Sequence, residues 1–176
     1  MAEVTLLETR GLARHFDGLK AVDGVDFTLN VGEIRAIIGP NGAGKSTFVS
    51  LLSGRIPPSA GQVFFDGKDV TNLPAFKRVR LGIAYTFQIT NIYPSLTVLE
   101  NIEIAVQNRL KPSLFGGASE AQIQSEAALA AQAVGLGDRI GDTAGKLAYG
   151  HQRLLEVAMG LGLEPKLLIL DEPTQG

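Results

Sequence analysis

Nine residues, GPNGAGKST at positions 39 to 47, limit the possible fold more than any other part of the chain. They match G-x-x-x-x-G-K-[ST] through Gly39, Gly44, Lys45 and Ser46. Glycines without side chains let consecutive backbone N–H groups curl around an anion, and the start of a following helix adds partial positive charge. Such a loop needs an element to launch it and a helix to receive it. The run IRAIIG predicts a strand before it; KSTFVSLLSG predicts a helix after it, with Phe48, Leu51 and Leu52 on one face and Gly54 as the stop. In that setting Gly39, Pro40, Asn41, Gly42, Ala43, Gly44, Lys45, Ser46 and Thr47 form a phosphate loop. Lys45 reaches the β- and γ-phosphates of a nucleotide, and Ser46 ligates Mg2+. The bland alternative is an ordinary glycine turn.

The rest of the chain alternates strands with helices. Val4 and Leu6, then Val25, Phe27 and Leu29, recur at every second position on either side of HFDG, which predicts antiparallel strands with one wet face. QVFFDG predicts a short strand closed at Asp66-Gly67, residues 74 to 81 a brief helix, and IAYTFQ a strand ending at Gln88. Thr97 with Glu100, and Ser119 with Gln122, carry capping-box spacing ahead of two helices, the second with Ile123, Ala127, Ala130 and Val134 on one face. A helical insert over 97 to 146 is expected. HQRLLEVAMGLG predicts a helix despite Gly160 and Gly162, and LLIL a buried parallel strand.

Composition excludes several classes of function. The chain has no cysteine, so disulfides, thiolate metal sites and thiol nucleophiles are out. Sixteen basic and 18 acidic residues give a net charge of −2, and no global field draws nucleic acid or anionic lipid. The densest basic cluster, KRVR at 77 to 80, is expected on a solvated face. MAEVTLLETRG lacks the pattern of a signal peptide, and no apolar run approaches the roughly 20 residues that span a bilayer.

Asp171 and Glu172 follow LLIL. A carboxylate at the end of a buried strand can bind magnesium directly or through its water shell, and its neighbour can orient an attacking water. The order GPNGAGKST, Gln88, LAYGHQR, LLILDEP resembles the nucleotide-binding subunits of ATP-binding cassette (ABC) transporters, over about Leu12 to Gly176. The resemblance implies a single ABC ATPase domain over 1–176: a RecA-like P-loop NTPase core of α/β class with a mostly parallel sheet, an N-terminal antiparallel β subdomain and a helical insert. Within it, 1–88 would hold the antiparallel β part and the phosphate loop, 89–146 the helical subdomain, and 147–176 the signature helix and the strand before Asp171.

The same resemblance assigns the site. It implies ATP and Mg2+ as cofactors, Glu172, Lys45 and Gln88 as catalytic residues, and Ser46, Gln88 and Asp171 at the metal. Phe16 lies where the family places an aromatic ring that stacks on adenine. In the family two cassettes dimerise head to tail, so Ala148, Tyr149, Gly150 and His151 would face ATP held by the other subunit, a second helix start applied to one triphosphate. This chain departs from the usual LSGGQ: the serine hydroxyl is missing and His151 replaces the glutamine.

LARHFDGLKAVDGVDF, DGKDVTNLPAFKRVRLGIAYTFQ and SLTVLENIEIA look like the ATPase subunits of branched-chain amino-acid importers and their urea or amide relatives. Implied partners are a second ATPase subunit, transmembrane permeases and, indirectly, a periplasmic solute-binding protein, at the cytoplasmic face of the membrane and without nucleic acid. A soluble ABC ATPase acting on nucleic acid or the ribosome is the alternative. The family's portion after the acidic pair, with a further histidine at the γ-phosphate, has no counterpart in DEPTQG, so weak or absent hydrolysis is expected of these 176 residues alone.

Overall fold

Asp17 and Gly18, both at positive φ (40° and 95°), turn the chain back sharply between β1 (Thr5–Phe16) and β2 (Leu19–Asn30). Two left-handed residues match the twist of the flanking strands, which is why an Asp-Gly pair closes a two-residue hairpin. Asp66 and Gly67 repeat the device (φ 50° and 71°) between β3 (Ala60–Phe65) and β4 (Lys68–Asp69). β1 pairs antiparallel with both β2 and β3, giving the order β2-β1-β3-β4. The computed structural model describes residues 4–86, 92–110 and 118–170. They fall into two units, divided between Leu81 and Gly82.

In the first unit the helix after the phosphate loop, α1 (Lys45–Ser53), lies against this sheet and buries Phe48, Val49, Leu51 and Leu52. The Phe48 ring meets Phe27 of β2 edge to face, centroids 5.6 Å apart. Gly54 ends the helix at φ 74°, as its position in the sequence predicts. α2 (Ala75–Leu81) supplies Arg78, which corrects the expectation of a solvated basic face. Arg78 is 1% exposed and donates to the carbonyl oxygens of Leu51, Leu52, Thr71 and Leu73 at 2.8 to 3.0 Å. A guanidinium suits this place because the Leu51 and Leu52 carbonyls at the helix end carry partial negative charge, and Leu51 O accepts from Arg78 as well as from the Gly54 N–H. Arg80 does lie outside, over the Phe76 ring.

The predicted strand IRAIIG is absent. Residues 33 to 40 pair with no described strand, and Ile34 and Ile38 are 98% and 90% exposed. A strand exists only when a neighbour takes its backbone hydrogen bonds, and an apolar run alone supplies none.

In the second unit β5 (Ile83–Thr86) runs parallel to β6 (Leu167–Leu170), in the register Ile83 to Leu167 through Thr86 to Leu170. Between them lie α3 (Val98–Arg109), α4 (Glu120–Ala133) and α5 (Tyr149–Gly162). Val98, Ile102, Val106, Ala127, Ala131, Leu155 and Ala158 form their common core. The Thr97–Glu100 capping box is complete, and the two hydrogen bonds from the Thr97 N–H and hydroxyl hold the Glu100 carboxyl below its usual range. The second box is only half made: Ser119 accepts from the Gln122 N–H, but the Gln122 side chain donates to Glu126 instead. Gly162 explains a helix that tolerates glycine, because a Cβ there would stand 3.2 Å from the Val106 side chain of α3.

Candidate nucleotide-binding site

The phosphate loop starts from glycines held in conformations that side chains resist. Gly42 and Gly44 have φ of 80° and 85°, and Gly44 is the residue that caps α1. A Cβ on Gly44 would sit 2.0 Å from the Ala21 carbonyl oxygen, so the loop is seated directly on the β2 backbone. Inside it the Ala43 N–H donates to Pro40 O at 3.2 Å. The Lys45 ammonium donates to Gly39 O and Pro40 O, at 2.6 and 2.8 Å. Lysine thus lies folded over the loop, its charge held by two carbonyl dipoles that phosphate oxygens would replace with stronger, charge-assisted bonds. Asn41, Gly42, Ala43 and Ser46 are exposed, and the Ser46 hydroxyl stands on the first turn of α1, open to a metal ion that shares phosphate oxygens.

Phe16 ends β1 in the same unit, 40% exposed. β1 is anchored beside it: the His15 N–H donates to Ser59 Oγ and the Ser59 N–H donates to Ala13 O. Across the hairpin, His15 and Lys20 both meet the carboxylate of Asp23, and these two hydrogen bonds, Lys20 first, keep the carboxyl below its usual range.

The signature segment opens α5. Leu147 is buried as an anchor, while Ala148, Tyr149 and Gly150 are exposed and His151 is half-buried. Ala148 caps the helix with no side-chain hydrogen bond, and its carbonyl oxygen accepts from the His151 and Gln152 N–H groups at 2.9 and 3.1 Å. The structure therefore brings Gly39 to Thr47 and Phe16 together in one unit and places Ala148 to His151 in the other. Gln88, Asp171 and Glu172 lie outside the described residues.

Two side chains escaped the sequence. Arg14 lies over the Phe16 ring, its guanidinium carbon 4.5 Å from the centroid. Arg153 donates to the Tyr149 hydroxyl at 2.8 and 3.1 Å and to Glu156 at 2.8 Å. Both pairs follow from spacing: two residues apart on a strand, four apart on a helix. Spacing alone did not distinguish them from other arginines near aromatic rings.

The phosphate loop, its helix and the exposed start of α5 agree with the family comparison, in which the ABC transporter model matches residues 22–175. The chain belongs to that family, as its ATPase cassette. The cassette is 40% identical over 176 residues to the probable branched-chain amino acid transport ATP-binding protein LivG of Archaeoglobus fulgidus, covering 97% of this chain and 68% of that protein. It is 38% identical over 179 residues to the high-affinity branched-chain amino acid transport ATP-binding protein LivG of Escherichia coli K12, covering 97% and 70%. Likeness extends to the ribose import ATP-binding protein RbsA 1 of Rubrobacter xylanophilus, 38% identical over 169 residues and covered to 33% of its length. Among solved structures, MJ1267, an ATP-binding cassette of an ABC transporter, superposes with a TM-score of 0.86 at 31% identity, over all of this chain and 71% of that one. No described helix is long and apolar enough to cross a membrane.

Proposed function

We propose that the cassette binds and hydrolyses ATP to drive an importer for branched-chain amino acids or a related small polar solute. The observation that carries the reading is the phosphate loop, seated on β2 with Lys45 folded over it and Ser46 exposed behind it. Lys45 and the loop amides take the phosphates, and Phe16 stacks on the adenine. Ser46, Asp171 and Gln88 hold Mg2+, which supplies charge neutralisation at the phosphates. Glu172 orients the attacking water. Named relatives from two organisms support amino-acid transport, and the ribose relative keeps the solute class open to test.

The partners follow from the same reading. A second cassette presents its Ala148 to His151 to the triphosphate, and permease subunits hold the pair at the cytoplasmic membrane face, with a periplasmic solute-binding protein acting through them. Residues 1–88, 89–146 and 147–176 serve as nucleotide, helical and signature parts. The decisive experiment replaces Glu172 by Gln in the assembled transporter. ATP binding should persist while phosphate release and leucine uptake into proteoliposomes both stop. Phosphate release at the unsubstituted rate would remove Glu172 from the mechanism, and ribose uptake in place of leucine uptake would reassign the solute.

A further inference from the structure

The Phe16 ring has two faces, and one of them is already taken. The Arg14 guanidinium lies over it at 4.5 Å from the centroid, close enough for a cation to be attracted by the ring's negative face. Arg14 does not hang free. Its Nη1 donates to Pro57 O at 3.1 Å, and the same short segment reaches β1 again through Ser59, whose hydroxyl accepts from the His15 N–H. Arg14 Nε is buried and has no hydrogen-bond partner among the described residues. A buried donor left unmatched is costly, so the position is fixed by the ring and the Pro57 carbonyl rather than by an ion pair.

We propose that Arg14 is a positioning residue for the nucleotide base: it fills one face of Phe16 and locks the ring, so that the base stacks only on the opposite face. This rests on the reading of Phe16 as the adenine platform. The physical gain has two parts. A ring immobilised before binding loses no rotamer freedom when the base arrives. A cation on the far face also draws electron density away from the near face, which reduces the repulsion between two stacked π-systems. Because β2 seats the phosphate loop through Gly44 at Ala21, while the Phe16 end of β1 pairs with Leu19, the platform and the phosphate cradle are joined by a few residues of one hairpin. Arg14 itself meets the Phe16 ring and the Pro57 carbonyl, so it acts on the base rather than on the triphosphate grip.

The test compares MgATP with inorganic Mg-tripolyphosphate, which has the phosphates and no base, by calorimetry on the 176-residue chain. Arg14→Met, similar in length and uncharged, should weaken MgATP about five-fold and leave tripolyphosphate unchanged. Arg14→Lys should recover part of the loss. On a Phe16→Ala background, Arg14→Met should add nothing. Equal weakening of both ligands would show a general structural role and overturn the proposal, as would a loss in Phe16→Ala that Arg14→Met does not share. Should Phe16→Ala itself leave the ratio of the two affinities unchanged, the adenine platform fails and the proposal falls with it. If Arg14→Met does not fold, Arg14→Lys decides alone: a smaller loss confined to MgATP supports the proposal, and any other pattern refutes it.

Discussion

Arg78 Nη1 donates to the Leu51 carbonyl oxygen at 2.9 Å and so closes the C-terminal end of the helix whose N-terminal end carries the phosphate loop. Burial pushes the guanidinium down to about 10, which leaves it charged at neutral pH and able to meet four carbonyl dipoles. Arg78→Met should lower stability by about 3 kcal/mol, since buried carbonyls lose a charged donor and gain nothing. Urea denaturation measures this, and a midpoint equal to that of the unsubstituted chain would show that water replaces the arginine freely.

Lys45 makes its hydrogen bonds to loop carbonyls at the protein surface, so its loss should be felt by ligand rather than by fold. Lys45→Ala is expected to weaken MgATP by roughly 10- to 100-fold, the worth of charge-assisted bonds to phosphate. Far-UV circular dichroism should stay unchanged. A collapse of helicity instead would make Lys45 a structural strut.

Tyr149 receives two hydrogen bonds from Arg153, which leaves its own hydroxyl proton free to donate outward from the start of α5. The phenol can thereby stand in for the hydroxyl missing at Ala148. Tyr149→Phe should spare ATP binding by a single cassette and weaken ATP-dependent dimerisation about ten-fold, in line with one hydrogen bond to a charged oxygen. Sedimentation in the Glu172→Gln background reads the effect. Undiminished dimerisation would confine Arg153 to bracing the helix.

Glu103 on α3 has its carboxyl raised above the usual range, chiefly by burial and further by the charges of Glu100 and Glu120. A raised value in the fold means the native state binds more protons, so stability is greatest below the unfolded value and falls as pH rises through the folded one. Glu103→Gln removes that loss. It should raise stability at pH 7 by about 0.5 kcal/mol and change little at pH 4. A gain at pH 4 as large as at pH 7 would mean that packing, not charge, is responsible.

Much of this arrangement was legible in the residues because local chemistry decided it. Asp17-Gly18 and Asp66-Gly67 fix hairpins by backbone conformation, and Thr97 with Glu100 fixes a helix start by two hydrogen bonds. Distant partners were not legible. IRAIIG reads as an apolar strand segment, but pairing depends on what lies beside it, and residues 33 to 40 pair with no described strand. Arg78 looked like one member of a surface cluster because nothing within KRVR announces the Leu51 and Leu52 carbonyls, more than 20 residues away in sequence. At the candidate site, motif spacing marked the glycine loop that leads into α1, whereas Arg14 and Arg153 became visible only through which ring each one meets.

Gly44 carries a consequence for genetics. A first side-chain carbon there would stand 2.0 Å from the Ala21 carbonyl oxygen, so a substituent would pry the start of α1 off the hairpin before a nucleotide is ever encountered. A Gly44 allele therefore disturbs assembly and loop together, and its defect cannot be assigned to ligand contacts alone. Lys45, one step along with its ammonium folded onto the loop's own carbonyls, is the position at which a null mutant would report on ATP.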